Sequence, residues 1–255
     1  MRRVVERMPL PLRKVLTEAF TALQFAPHSD KFKERSDRQE FFRRAFKALA
    51  FNVIDGDYAE FGCHGGGTFD LAYYESRCAG YACKLWAFDS FSGLPAPKVA
   101  EDQHPQWFED NMRTGLSDFH RICKHNGIPR SSYEVVPGCY DTTLSGRDSS
   151  ITVPSNICMA YIDCDLYSST MTVLKFLLPR LKHGMIIAFD DYYCWSSTQL
   201  SGERRSCSEV FDNNEEWRLL PYVQFGWGGL SFVVESRKLN GQPNGNASKN
   251  SKYQP

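Results

Sequence analysis

No stretch of this sequence is apolar enough to cross a bilayer, which takes ~20 consecutive apolar residues in a membrane helix. The basic N-terminus, Met1 to Phe20, is interrupted by Pro9, Pro11, Arg13, Lys14 and Glu18 before a secretory apolar core could form. Neither sign of charge is in excess: 30 Lys and Arg balance 30 Asp and Glu. That excludes the basic surplus expected of a nucleic-acid binder, and the basic residues of 31–47, interspersed with acids on a helical pattern, read as a solvated face. There are nine cysteines but no Cys-x-x-Cys pair. Neither a disulfide framework nor a thiolate zinc site is signalled, and reduced thiols in a cytoplasmic chain are the expectation. What remains is 255 residues, 42% hydrophobic and 24% charged, enough for one globular domain with an appendage.

Along the chain, residues 1–35 read as short helices joined by Pro- and Ser-containing turns. Ser36 or Asp37 is the expected cap of a helix running to Phe51, with Phe41, Phe42, Ala45, Phe46 and Leu49 on one face. Residues 1–56 are therefore expected to be a helical segment serving as a lid or a dimer contact. From Asp57 the pattern changes to short apolar runs: Tyr58–Phe61, Leu85–Phe88, Tyr133–Val136, Cys158–Ile162 and Met185–Phe189. Such runs with helical stretches between them predict buried parallel strands in βαβ units. Leu219–Phe225 and Leu230–Val234 are separated only by Gly226, Trp227, Gly228 and Gly229, so they read as a hairpin that makes the last strand antiparallel. Residues 57–235 form the expected catalytic domain. Residues 236–255, rich in Asn, Ser, Lys, Gly and Gln, read as a disordered tail.

The first strand runs into Glu60-Phe61-Gly62-Cys63-His64-Gly65-Gly66-Gly67-Thr68, and a helix follows. A strand, a glycine-rich turn and a helix N-terminus make a nucleotide-sized site in an open α/β sheet. The loop lacks the Gly-x-Gly-x-x-Gly dinucleotide spacing and the Lys-Ser/Thr ending of a phosphate loop. Glu60 would repel a pyrophosphate but tolerate an ammonium and a sulfonium, which favours S-adenosylmethionine over NAD. Asp89, ending the next strand, can accept hydrogen bonds from a ribose diol.

A second pattern is acidic. One strand ends in Ile162-Asp163-Cys164-Asp165, the next in Phe189-Asp190-Asp191. Asp163 and Asp165, two apart, would face the same way on an extended strand. On neighbouring strands ~4.8 Å apart the two pairs could reach one cation. Oxygen-only donors suit Mg²⁺ or Mn²⁺ rather than Zn²⁺. The alternative is that Asp191 caps a helix and Asp165 is simply exposed. His64 and His183 are weaker proton-shuttle candidates.

These residues together resemble the macrocin O-methyltransferase (TylF-like) family. The resemblance runs from about Asp57 to Val234. It is carried by residues 60–68, Phe-Asp-Ser-Phe-Ser-Gly-Leu-Pro (88–95), Val-Pro-Gly-Cys-Tyr-Asp-Thr-Thr-Leu (136–144), Ile-Asp-Cys-Asp-Leu-Tyr-Ser-Ser-Thr (162–170) and Phe-Asp-Asp-Tyr (189–192). It implies a Rossmann-like class I methyltransferase fold: a seven-stranded, mostly parallel sheet with an antiparallel last strand and helices on both faces. By the same likeness Glu60, Gly62, Gly66, Thr68, Asp89, Ser90, Gly138, Tyr140 and Asp163 surround S-adenosylmethionine. Asp163, Asp190 and Asp191 bind Mg²⁺ or Mn²⁺, and one of Asp163 and Asp165 is the general base.

The implied reaction is metal-dependent methyl transfer to a hydroxyl of a small-molecule sugar or polyol, with no nucleic acid or membrane as partner and a homo-oligomer left open. A metal bound by two adjacent substrate oxygens would lower the hydroxyl pKa and a carboxylate would take the proton. The rivals are a catechol-like phenol acceptor, an NAD-dependent sugar oxidoreductase and a non-catalytic module of the same fold. Residues 96–115 carry no recognisable acceptor signature.

Overall fold

The computed structural model describes residues 29–240. The short helices expected before residue 29 lie outside the described residues. So does most of the expected tail, of which Arg237–Asn240 form one 3₁₀ turn. In chain order the main elements are α1 (Asp30–Phe51), β1 (Asp57–Phe61), α2 (Gly67–Cys78), β2 (Leu85–Asp89), α3 (Leu116–His125), β3 (Tyr133–Pro137), α4 (Tyr140–Thr143), β4 (Ile157–Ile162), α5 (Tyr167–Leu177), β5 (Ile186–Phe189), α6 (Gly202–Phe211), β6 (Trp217–Phe225) and β7 (Gly229–Ser236).

Each apolar run read from the sequence is a strand, displaced by at most two residues at either end. They form one seven-stranded sheet in the order β3-β2-β1-β4-β5-β7-β6. The pairings from β3 across to β5 are parallel, and β7 runs antiparallel to both neighbours. The Gly226–Gly229 link closes the β6–β7 hairpin, as its length requires.

Alternation along the strands sends side chains to two cores. Tyr58, Met159, Tyr161 and Ala188 pack with α1, α2 and α3 on one face. Ala59, Phe61, Ala160, Ile162 and Phe189 pack with α5 and α6 on the other. Both faces are covered, which is why the central strands read as continuous apolar runs.

Helix α1 starts about two turns before the expected cap at Ser36 or Asp37. Ser29 is the N-cap, its Oγ accepting from the Phe32 amide at 3.2 Å, and nothing between Asp30 and Asp37 breaks a helix. Its phenylalanines enter the first core. Phe42 is fully buried and lies against the rings of Phe41, Phe46, Tyr58 and Tyr161, with centroids 5.0–6.4 Å away. Truncating it leaves a void that a packed aromatic core cannot close. Phe42→Ala should therefore lower the unfolding free energy by about 3–5 kcal/mol, read from the midpoint of urea denaturation at unchanged m-value; a loss under ~1 kcal/mol would mean that α1 is not part of this core.

Candidate active site

The direction of strand order reverses between β1 and β4, and ligands of open α/β sheets bind at the carboxyl ends beside such a point. A cleft lies there, lined in part by Gly62, His64, Asp89, Ser90, Gly138, Tyr140, Asp163 and Asp165. The structure thus brings together the expected cofactor residues Gly62, Asp89, Ser90, Gly138, Tyr140 and Asp163.

Gly62 is required by contact. Its φ is +90°, and a Cβ there would stand 1.8 Å from the Asp163 carbonyl oxygen. The glycine turn therefore lies directly on the end of β4, and no other residue allows that approach. Asp89 fixes the turn from the other side: its Oδ2 accepts from the amides of Cys63 at 2.7 Å and His64 at 3.2 Å, and its Oδ1 from the amide of Phe91 at 2.7 Å. Gly138, at φ +132°, donates its amide to the Asp89 carbonyl at 2.9 Å. Ser90 Oγ donates to the Gly93 carbonyl at 2.9 Å, and Tyr140 OH to the Phe88 carbonyl at 3.3 Å.

Glu60, Gly66 and Thr68 do not line the cleft. They sit under the turn and support it. Gly66 is the left-handed N-cap of α2. Glu60 is fully buried, accepting from Tyr58 OH at 2.5 Å and from Thr68 Oγ1 at 2.8 Å. Burial holds its carboxyl up at about 8 despite those two bonds, with Asp190 and Asp89 adding to the shift.

The aspartates divide. Carboxylate oxygens of Asp163, Asp165 and Asp191 lie within 4.8 Å of one another. Strand alternation is not what gathers the first two, because β4 ends at Ile162 and Asp165 has turned to φ +59°. The left-handed residue folds the chain back, and Asp is among the few side chains that tolerate it. Burial first, then the neighbouring carboxylates, raise Asp163, Asp165 and Asp191 above the usual carboxylate range. Asp190, also expected as a metal ligand, is close enough for its charge to act on Asp163 and Asp191, but its oxygens are engaged. Its two oxygens take Arg38 Nε and Nη2 at 2.8 Å each, and Tyr161 OH as well.

Three residues that the sequence reading passed over complete the surroundings. Arg38 belongs to the run read as solvated, yet its side chain is largely buried. Glu203, wholly buried at the start of α6, accepts from the Cys164 amide at 3.2 Å and the Asp191 amide at 3.0 Å, tying the ends of β4 and β5 together. Spacing could have found both: Arg38 is three and four residues before Phe41 and Phe42, and Glu203 is four and eight before Cys207 and Phe211. Asp102 is buried and accepts from the amides of Lys98, Val99 and Ser168, anchoring the 93–114 segment beside the cleft; no sequence pattern marks it. Of the histidines, His64 lines the cleft, with Nδ1 2.7 Å from the Met112 carbonyl, and His183 lies away at the start of the turn into β5, next to the Ser236 amide.

Similarity to known proteins falls in the same region. The family profile described as macrocin-O-methyltransferase (TylF) matches residues 34–209. A Streptomyces olivaceus enzyme, 8-demethyl-8-(2,3-dimethoxy-alpha-L-rhamnosyl)-tetracenomycin-C 4'-O-methyltransferase, is 29% identical over 145 residues, 54% of this chain and 54% of its own length, so the chain spans about half of that relative. The solved O-methyltransferase NovP superposes with a TM-score of 0.61 at 21% identity, covering 79% of this chain and 80% of that one. A calicheamicin methyltransferase gives 0.61 at 18% identity over 91% and 89%. These likenesses establish the class I methyltransferase fold.

Because the folded-state value of Glu60 lies above its ordinary 4.5, its contribution to stability is complete below pH 4.5 and is lost as pH rises through about 8. Thermal unfolding should show a fall toward alkaline pH, at most ~1.4 kcal/mol per pH unit, that Glu60→Gln removes; an unchanged slope in the variant would assign the pH dependence elsewhere.

Proposed function

The chain belongs to the macrocin-O-methyltransferase (TylF) family, and from that membership we propose that it transfers a methyl group from S-adenosylmethionine to a sugar hydroxyl of a glycosylated small molecule. The observation that carries this reading is the continuity of the cleft. Its walls include both Asp89 with Gly138 and Asp163 with Asp165. A donor lying along it would have its adenosine near the first pair and its sulfonium near the acids. The relative from Streptomyces olivaceus is named for methylating a rhamnosyl oxygen, which supports a sugar as acceptor. Membership of a methyltransferase family sets aside the nicotinamide reading.

Each residue has a defined task. Gly62 and Gly138 let backbone approach the donor, and Asp89 holds the turn that shapes the cleft. Asp163, Asp165 and Asp191 offer oxygen donors only, and none of them forms an ion pair among the described residues, so the set fits a divalent cation such as Mg²⁺ or Mn²⁺. Such a cation, when bound, lowers the pKa of a coordinated hydroxyl. Asp165, buried at 3% exposure yet on the cleft wall, is assigned the acceptor proton, with Asp163 as the alternative. Alignment of acceptor oxygen, methyl and sulfur supplies the rest of the acceleration.

Incubated with S-adenosylmethionine and rhamnosides bearing free vicinal hydroxyls, the protein should give a product one methyl heavier by mass spectrometry. Asp165→Asn should lower the rate by about 10²–10⁴ while S-adenosylhomocysteine binding by calorimetry stays near wild type. Excess EDTA should stop turnover, and added Mg²⁺ restore it. Full activity in EDTA would remove the cation, and full activity of the variant would remove Asp165 as the base.

A further inference from the structure

We infer that Glu203 is a positioning residue for the acids at the ends of β4 and β5, an inference that rests on the reading that these acids hold a divalent cation. Acids from two strand ends share one ion only if those ends keep a fixed separation. The paired register of β4 and β5 stops at Ile162 and Phe189. One further backbone bond follows, from the Asp190 amide to the Ile162 carbonyl at 2.9 Å, and among the described residues no backbone bond joins residues 163–165 to Asp191. Glu203 bridges that gap. Its Oε1 accepts from the Cys164 amide at 3.2 Å and its Oε2 from the Asp191 amide at 3.0 Å. Residue 164 stands between Asp163 and Asp165. One oxygen therefore holds the turn that carries both of those acids, and the other holds the backbone at the end of β5.

The bridge has a fixed base. Glu203 is fully buried in the first turn of α6. Its neighbour Gly202, at φ +58°, lies against the same turn: a Cβ there would stand 3.0 Å from the Asp165 carbonyl oxygen and 3.1 Å from the Trp107 ring. One turn on, Ser206 Oγ donates to the Tyr167 carbonyl at 3.0 Å and fastens α6 to the start of α5. The helix is thus set against the Asp163–Asp165 turn before its glutamate reaches across to β5. The side chain of Asp191 is oriented separately, by Cys194 Sγ donating to its Oδ1 at 3.1 Å. Among the described residues Glu203 forms no ion pair. A carboxylate buried without a counter-charge is costly, and packing of α6 would be served by an apolar side chain. What the glutamate adds is the connection between the two strand ends.

A role through charge alone, adding attraction for a cation, makes a different forecast. Aspartate keeps the charge but is one methylene shorter and cannot reach both amides. Glutamine keeps the length but offers one acceptor oxygen and turns an N–H toward the other amide. Mn²⁺ uptake by wild type, Glu203→Asp and Glu203→Gln, followed by calorimetry and electron paramagnetic resonance, separates the two roles, with S-adenosylhomocysteine affinity as the control for an intact fold. If Glu203 positions the acids, both variants should bind Mn²⁺ about tenfold or more weakly, with S-adenosylhomocysteine affinity within about twofold of wild type. Wild-type Mn²⁺ affinity in Glu203→Asp would leave Glu203 a charge only, and wild-type affinity in Glu203→Gln would leave it no part in the site; either result overturns the inference. A parallel loss of S-adenosylhomocysteine affinity would make it a folding residue and overturn the inference as well. Should both variants fail to fold, Gly202→Ala, which presses on the Asp165 carbonyl with the glutamate intact, carries the same test: weaker Mn²⁺ binding supports the inference and unchanged binding overturns it. Wild-type protein that binds S-adenosylhomocysteine but takes up no Mn²⁺ would instead overturn the cation reading, and this inference with it.

Discussion

Gathering carboxylates at the ends of two adjacent buried strands is costly, and the surrounding structure is arranged around that cost. Two like charges 4 Å apart repel by about 4 kcal/mol at the effective dielectric of a protein surface. Six acids converge here, and each of three has its own remedy. Asp190 is neutralised by Arg38 and Tyr161. Glu203 is spent on two backbone amides. Glu60 is satisfied by two hydroxyls and held toward its protonated form. Asp163, Asp165 and Asp191 are left facing one another beside the cleft. Among the described residues none of these three has a cationic partner, and burial with the neighbouring carboxylates holds them above the usual carboxylate range, which is the ground for the cation proposed above.

The second constraint is steric and lies at the same place. With the Gly62 backbone on the Asp163 carbonyl, the glycine turn and the first acid of the cluster form one surface. On the proposed reading a donor bound along the turn would lie directly beside the acids. Among the described residues, five of the six non-glycine residues with positive φ, His64, Phe91, Asp110, Met112 and Asp165, lie in the turn, in the segment beside it or in the cluster. Unfavourable backbone is concentrated where the cleft is shaped, as expected when the surrounding packing over-determines a site.

The strands were legible because burial on both faces leaves apolar runs too short for helices, separated by longer helical stretches, and because a four-residue glycine link permits little besides a hairpin. The glycine turn and Asp89 were legible because close approach and strand-end position are written in residue type. The start of α1 was not, since a second serine farther upstream could cap as well as Ser36. The 93–114 segment was opaque for a different reason. It is held by buried Asp102 reaching three amides, and such a bond set leaves no periodic trace.

The acidic cluster shows where spacing stops being sufficient. The Asp-x-Asp and Asp-Asp pairs correctly placed four carboxylates at neighbouring strand ends. Which of them stand together, however, depended on partners from distant elements. Asp190 is paired with an arginine 152 residues away in sequence. Asp165 was admitted by a left-handed turn rather than by strand alternation. Arg38 looked like one charge among many in a basic and acidic run, yet it stands three and four residues before Phe41 and Phe42, in register with the phenylalanine face of its helix. A charged residue in register with an apolar stripe is expensive to bury without a partner. Its presence there is therefore evidence for a buried counter-charge, and in this fold the counter-charge is Asp190, next in the chain to an acid of the cluster.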